Sequence, residues 1–115
     1  MIPSKNRLKE KKEIERIFLQ GKTVSEKFLA AKIANNKLGY SRFVFSVGLG
    51  FSKKAVERNK LKRILKNLLL ENLEKIKTDL DVIFFIRKNE KVNLSAKSIR
   101  PIFEDLLRKN NLLKK

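Results

Sequence analysis

The sequence contains no cysteine. A disulfide framework and thiolate metal sites are therefore excluded. Histidine is absent as well, which removes the commonest general base and the commonest metal ligand. Neither a Ser-His-Asp nor a Cys-His arrangement is possible. Acidic residues are few, with 12 Asp and Glu in the whole chain. The available pairs are Asp79 with Asp81 and Glu104 with Asp105. Neither has a third acidic partner at motif spacing, and Lys77 and Arg108 flank them. Metal-dependent phosphodiester cleavage needs clustered carboxylates, so no catalytic residue and no metal ligand is predicted. No stretch approaches the roughly 20 apolar residues of a bilayer span. The start, Met-Ile-Pro-Ser-Lys-Asn-Arg, lacks an apolar run of signal-peptide length. A cytoplasmic protein with no membrane partner is expected. The two prolines, Pro3 and Pro101, lie near the ends. There is no repeat and no Pro/Gly/Ser-rich linker, so residues 1–115 read as one domain with a loose N-terminal arm.

What the chain does have is positive charge. Its 29 Lys and Arg leave a formal net charge of +17 on 115 residues, with a pI near 10.4. Such an imbalance strains a compact state by self-repulsion. A dense polyanion relieves it by releasing counterions. An acidic membrane surface would do the same, but the cations are spread along the chain and do not gather on one amphipathic tail. Nucleic acid is the favoured partner.

The apolar pattern is helical from about Lys9 to Gln20, where Leu8, Ile14, Ile17 and Phe18 recur, with Gly21 placed as C-cap. Lys27 to Ala34 alternates as a strand, with Leu29, Ala31 and Ile33 on one face and Phe28, Ala30 and Lys32 on the other. The turn chemistry of Asn35-Asn36-Lys37-Leu38-Gly39 leads to a second alternating strand, Arg42 to Leu49, and suggests a hairpin. Ser52 is placed to cap a long helix reaching about Lys77. The unbroken apolar run Val82-Ile83-Phe84-Phe85-Ile86, within a strand from Asp81 to Lys88, suggests a central strand or one covered on both faces. Ser95 opens a last helix, with Pro101 in its first turns. The predicted order is α-β-β-α-β-α, an α+β fold of helices on a small mixed sheet.

The most informative segment runs from Lys53 to Lys66. It holds seven basic residues, Lys53, Lys54, Arg58, Lys60, Lys62, Arg63 and Lys66, against the single acid Glu57. At about 100° per residue, Arg58, Asn59, Lys62, Arg63 and Lys66 share a sector, opposite a stripe of Leu61, Ile64, Leu65 and Leu68. Leu69, Leu70, Leu73 and Ile76 drift out of that stripe, so the far end of the helix is expected to pack on another element. Arginine offers a planar fork of donors for phosphate oxygens. Asn59 both donates and accepts, which suits a ribose 2′-OH or a base edge. A solvated lysine-rich face is the bland alternative, but the density of cations around Arg58-Asn59 favours RNA contact.

Arg58-Asn59-Lys60-Leu61-Lys62-Arg63 resembles the Arg-Asn-Arg-(Ile/Leu)-Lys-Arg signature of the bacterial ribonuclease P protein family. Ser52-Lys53-Lys54-Ala55-Val56-Glu57 resembles the approach to it. Asn6-Arg7-Leu8-Lys9, Phe85-Ile86-Arg87-Lys88 and the terminal basic helix match in order and spacing, so the resemblance spans nearly the whole chain. It implies the same order of elements, with a left-handed crossover through the basic helix. It also implies a subunit of an endoribonuclease that removes 5′ leaders from precursor tRNA. The active site, with bound Mg²⁺, lies in an RNA subunit, and the protein joins it as a monomer in a 1:1 ribonucleoprotein. Arg58, Asn59, Lys60, Lys62 and Arg63 inherit contact with the catalytic RNA, and Lys53, Lys54 and Lys66 extend that surface.

The resemblance further implies a cleft between the first helix and the sheet for the single-stranded leader. Single strands are held by aromatic stacking in a cationic groove. The candidates are Phe18, Phe28 and Lys32, with Arg7, Arg87 and Lys88 beside them; Phe43, Phe45, Phe84, Phe85 and Phe103 are read as core. There are departures from the family pattern. Lys60 replaces an arginine and loses its fork. Lys32 and Ile14 stand where aromatics are frequent. The strand before the basic helix ends Gly48-Leu49-Gly50, which permits a bulge or a close backbone approach, in place of a Ser-Lys-Lys-like stretch. A ribosomal or other non-catalytic RNA-binding protein is the alternative function. A helix-turn-helix DNA binder is disfavoured, because no pair of short helices is joined by a glycine turn.

Overall fold

The computed structural model describes residues 2–87 and 92–114. Its elements are α1 (Lys11–Gln20), β1 (Lys22–Glu26), β2 (Leu29–Asn35), β3 (Arg42–Ser46), α2 (Ala55–Asn72), β4 (Leu80–Ile86) and α3 (Ala96–Lys109), with 3-10 turns at Ser4–Asn6 and Leu73–Lys75. The class is α+β, as predicted, with one strand more than the sequence pattern suggested.

The additional strand is β1. Within Lys22–Glu26 only Val24 is buried, so the segment carries no alternation of apolar residues to read. It pairs antiparallel with β2 through the two-residue connection Lys27-Phe28, where Lys27 takes the positive φ of 54° that such tight connections require. This is the hairpin of the fold. The predicted hairpin between β2 and β3 does not form, because β4 lies between them in the order β1-β2-β4-β3. The Asn-rich turn serves β4 instead: the Asn36 N–H donates to the Asp79 carbonyl, and Asn36 Nδ2 to Asp81 Oδ1. β4 runs antiparallel to β2 and parallel to β3, so α2 is the crossover between parallel neighbours.

Central placement explains the unbroken apolar run of β4. Val82 and Phe84 face one side, where Leu29, Ala31, Phe43 and Phe45 join the apolar faces of α2 and α3. The Phe84 ring sits 5.2 Å from Phe45 and 5.3 Å from Phe103, measured between centroids. Ile83 faces the other side, where Ile17 of α1 and Leu8 of the N-terminal arm cover it. The layers are α1, the sheet, and α2 with α3. Leu69 and Ile76 are buried in the main core, and Arg100 of α3 pairs with Glu71 of α2 at 2.9 Å. The far end of α2 thus packs on α3.

Local chemistry sets the ends. Ser95 Oγ accepts from the Ser98 N–H and caps α3. Pro101 lies in the second turn of α3, within the first turns as expected. Gly21 closes α1 with its N–H on the Ile17 carbonyl at 2.7 Å. Its φ of −73° is ordinary; glycine is needed because a Cβ there would lie 2.6 Å from that carbonyl oxygen. Ser52 is not the N-cap of α2, which is Lys54. β3 ends at Ser46, and Leu49 is exposed, not part of the strand face. Gly48 and Gly50 belong to a turn in which the Phe51 N–H reaches the Gly48 carbonyl, and an added Cβ on either would meet nothing within 4 Å. The N-terminal arm is not loose over its described part. Ile2 and Asn6 are buried, Asn6 Nδ2 donates to the Ser41 carbonyl at 2.7 Å, and the Leu8 N–H donates to the Phe43 carbonyl.

Candidate RNA interface

The basic helix is held from below and open above. Leu61, Leu65, Leu68 and Leu69 are buried, which turns Lys62, Arg63 and Lys66 outward. At the start of the helix, Ser52 Oγ donates to Glu57 Oε1 at 2.6 Å and accepts from the Lys54 N–H. The one acid of this segment is thereby engaged by a hydroxyl. Among the described residues no acidic side chain pairs with Lys53, Lys54, Arg58, Lys60, Lys62, Arg63 or Lys66.

Asn59, Lys62, Arg63 and Lys66 line one open cleft of about 670 Å³. Its other wall is the arm, with Arg7, Leu8 and Lys9, and its floor is β3. Four of the residues assigned to this surface stand apart. Arg58 donates through Nη1 to the Ser52 carbonyl at 2.9 Å and steadies the loop before α2. Lys60 is exposed but about 100° round the helix from Asn59, off the cleft. Lys53 and Lys54 are exposed ahead of the helix. Arg7, assigned to the leader side on sequence, instead faces α2 across the cleft, with Nε on the Ile2 carbonyl.

The opposite face of the sheet carries the second group. The register sets Ala30 beside Phe85 and Lys32 beside Ile83. On β3, Ser46 lies beside Phe85. Phe18 of α1 leans on this row, its ring 5.4 Å from that of Phe85 and tilted 45°. Phe18 is 38% exposed and Phe85 is half-buried. Arg87 follows on the same parity as Phe85, and its Nη1 donates to Ser25 Oγ at 3.2 Å. Phe18, Lys32 and Arg87 are therefore brought to one surface. Phe28 is not. It occupies the turn, outside the alternation of β2, and is buried at 4% exposure within the main core. Its place is taken by Phe85, a residue the sequence pattern assigns to the core. Parity along β4 carried that signal, since Phe85 must face away from Phe84. Lys88 lies outside the described residues.

A buried ion cluster fixes α1 over this face. Asp81 is fully buried. Arg42 grips it with Nε on Oδ1 at 2.9 Å and Nη2 on Oδ2 at 2.8 Å, and reaches Glu13 of α1 with Nη1 at 2.7 Å. The Asp81 hydrogen bonds raise the Arg42 pKa above its ordinary value, against the opposing effect of burial, and Glu13 adds to the rise. Two further acidic residues of the sequence pairs, Asp79 and Asp105, are also engaged. Asp79 Oδ1 accepts from the Gly39 N–H at 2.6 Å, and Asp105 pairs with Arg108 at 2.9 Å.

An α+β protein with a cationic helix on one side of its sheet, and an aromatic and cationic row on the other, is built as an RNA-binding subunit. Comparison with known proteins specifies it. The family model Ribonuclease P matches residues 2–111. The ribonuclease P protein component of Alkaliphilus metalliredigens is 34% identical over 115 residues, covering 97% of this chain and 99% of its own. That of Clostridioides difficile is 31% identical, covering 91% of each. The ribonuclease P protein from Thermotoga maritima superposes with a TM-score of 0.76 at 28% identity, over 90% of this chain and 96% of that one. That of Staphylococcus aureus shares the fold with a TM-score of 0.83 at 23% identity, over 95% and 98%. The chain belongs to the ribonuclease P protein family.

Proposed function

We propose that this chain is the protein subunit of ribonuclease P, and that its two surfaces divide the work. The α2 side binds the catalytic RNA subunit; the α1 side of the sheet binds the 5′ leader of precursor tRNA. The observation that carries this reading is the cleft of Asn59, Lys62, Arg63 and Lys66, whose cations have no acidic partner among the described residues. Burying that much uncompensated charge against phosphates releases counterions. Lys53, Lys54 and Lys60 add charge around it, and Arg58 orders the approach loop. On the other surface Phe18 and Phe85 offer stacking area, with Lys32 and Arg87 for the backbone.

The chemistry belongs to the RNA. Among the described residues no three acidic side chains stand together to hold a metal ion, and Asp81 spends both carboxylate oxygens on Arg42 and Asn36. Magnesium ions are ascribed to the RNA subunit. No helix among the described residues is long and apolar enough to cross a membrane. The protein acts as a monomer in a 1:1 ribonucleoprotein in the cytoplasm. The test is cleavage of a precursor tRNA by a cognate RNA subunit at low magnesium, with and without this chain. The chain should restore cleavage there and cleave nothing by itself. Mature 5′ ends made by the protein alone, in proportion to its concentration, would overturn the reading.

A further inference from the structure

The cleft beside α2 is more than a charged wall, because its floor is a strand edge that is only partly paired. β3 is terminal in the sheet. The Phe43 carbonyl points outward and accepts from the Leu8 N–H. Alternate residues of a strand present their backbone groups to the same side, so the N–H and C=O of Phe45 point outward too. The arm pairs with β3 only at Arg7 opposite Phe43 and then turns into α1. Among the described residues no segment pairs with Phe45 on that edge. Around it the cleft is lined by Leu8, Val44 and Leu70, with Asn59 and Asn67 on the helix wall. Arg7, Lys9, Lys62, Arg63 and Lys66 form the rim, and no acidic residue lines the cleft.

We infer that this groove receives one unpaired base of the RNA subunit, read by the Phe45 backbone edge and the Asn59 and Asn67 amides while the rim holds the flanking phosphates. The inference rests on the proposed function. An apolar slot suits the flat face of a base, and a backbone N–H beside a C=O matches the donor and acceptor pattern of a base edge. The cationic rim selects a nucleic acid over a peptide strand, the other ligand a free edge accepts. Sequence-specific RNA recognition targets bulged and looped bases, and an already unpaired base costs least to extract.

The probe is an RNA duplex carrying a single bulged adenosine, compared with the same duplex fully paired. The full-length chain should bind the bulged duplex about 10-fold more tightly, the scale of one base held by stacking. Asn67→Phe fills the groove from an exposed helix position without changing charge. It should abolish the preference while leaving the salt dependence of binding unchanged. Asn67→Tyr, with circular dichroism and melting on both variants, guards against a folding defect. On the RNA subunit itself, dimethyl sulfate should find an unpaired base that the wild-type chain protects and Asn67→Phe re-exposes. Equal affinity for the two duplexes, or a folded Asn67→Phe chain that keeps the preference and the protection, overturns the inference. If the wild-type chain fails to support cleavage at low magnesium, the proposed function itself fails; normal cleavage without bulge preference sinks only the groove.

Discussion

Arg42 and Asp81, 39 residues apart in sequence, meet in a two-pronged ion pair at 2.8 and 2.9 Å, with the carboxylate fully buried. The same guanidinium holds Glu13 of α1 at 2.7 Å, and Asn36 donates to Asp81 from the β2–β3 connection. One buried cluster thereby ties α1, two strands and a loop. It fixes how far α1 stands off the sheet, and so sets the surface that carries Phe18, Phe85 and Lys32.

Replacing Asp81 with alanine should cost about 3 kcal/mol, because it leaves a largely buried guanidinium without its main partner. Glu13→Gln should cost about 1 kcal/mol, since the Glu13 carboxylate is partly exposed. Urea unfolding of both variants checks the order; equal losses would mean that Asp81 is not the centre of the cluster. The pH dependence follows from the raised Arg42 pKa. A group raised on folding contributes fully below its unfolded value and loses that contribution only as pH climbs through the folded one. Both values lie at strongly alkaline pH, and the chain has no histidine. Stability should therefore be nearly flat between about pH 6 and 9.

Gly21→Ala tests the junction of α1 with β1. The new methyl would lie 2.6 Å from the Ile17 carbonyl oxygen and 3.1 Å from that of Ile33. Both are backbone atoms of packed elements. A loss of roughly 1–3 kcal/mol is expected from such overpacking, measured by thermal or urea melting. A neutral or stabilising result would show that α1 can lift from the sheet at little cost.

These two sites also mark where the sequence was legible. Patterns set by near neighbours were readable: the 3.6-residue period of α2, the Ser95 cap, the uniform apolar run of β4. The cationic sector from Asn59 to Lys66 follows from that same period. Features that depend on distant partners left no local trace. Alternation marks a strand but not its neighbour, so β4 was not foreseen between β2 and β3. An edge strand with one buried side chain, β1, has no pattern at all, and missing it put Phe28 on a face it never occupies. The Arg42–Asp81 pair joins residues whose own surroundings in sequence are unremarkable. Arg7 faces α2 only because the arm is pinned along β3 by Asn6 and Leu8.

Salt should separate the charged contacts from the rest. With about six to ten cations on phosphates, affinity for the RNA subunit should fall roughly 10³- to 10⁵-fold between 50 and 200 mM salt. Arg63→Ala should lower the slope of log affinity against log salt by about 1. Lys60→Ala, off the cleft, should change affinity less than Arg63→Ala does. A nearly flat salt dependence in the wild type would mean that charge is not what holds the RNA.

The last prediction sets the two surfaces against each other. Phe85 and Phe18 meet at 5.4 Å, their rings tilted 45°, on the α1 side of the sheet, whereas Phe28 is buried in the core on the other side. Phe85→Ala and Phe18→Ala should leave RNA-subunit affinity nearly intact. Each should weaken the holoenzyme's preference for precursor over mature tRNA, by roughly 1–3 kcal/mol if a leader base stacks there. Phe28→Ala should do something different. It empties a buried ring site, so the expected loss is about 3–5 kcal/mol of folding stability, with leader preference intact in whatever fraction remains folded. Arg63→Ala should reverse the first pattern, weakening RNA-subunit binding regardless of leader length. The measurements are affinities for a precursor with a leader of several nucleotides and for mature tRNA, each with the reconstituted holoenzyme, alongside melting curves. A folded Phe85→Ala variant with full precursor preference would remove Phe85 from the leader surface. A stable Phe28→Ala variant that has lost the preference would restore Phe28 to the leader surface. It would also mean that the turn at Lys27-Phe28 opens when the leader binds.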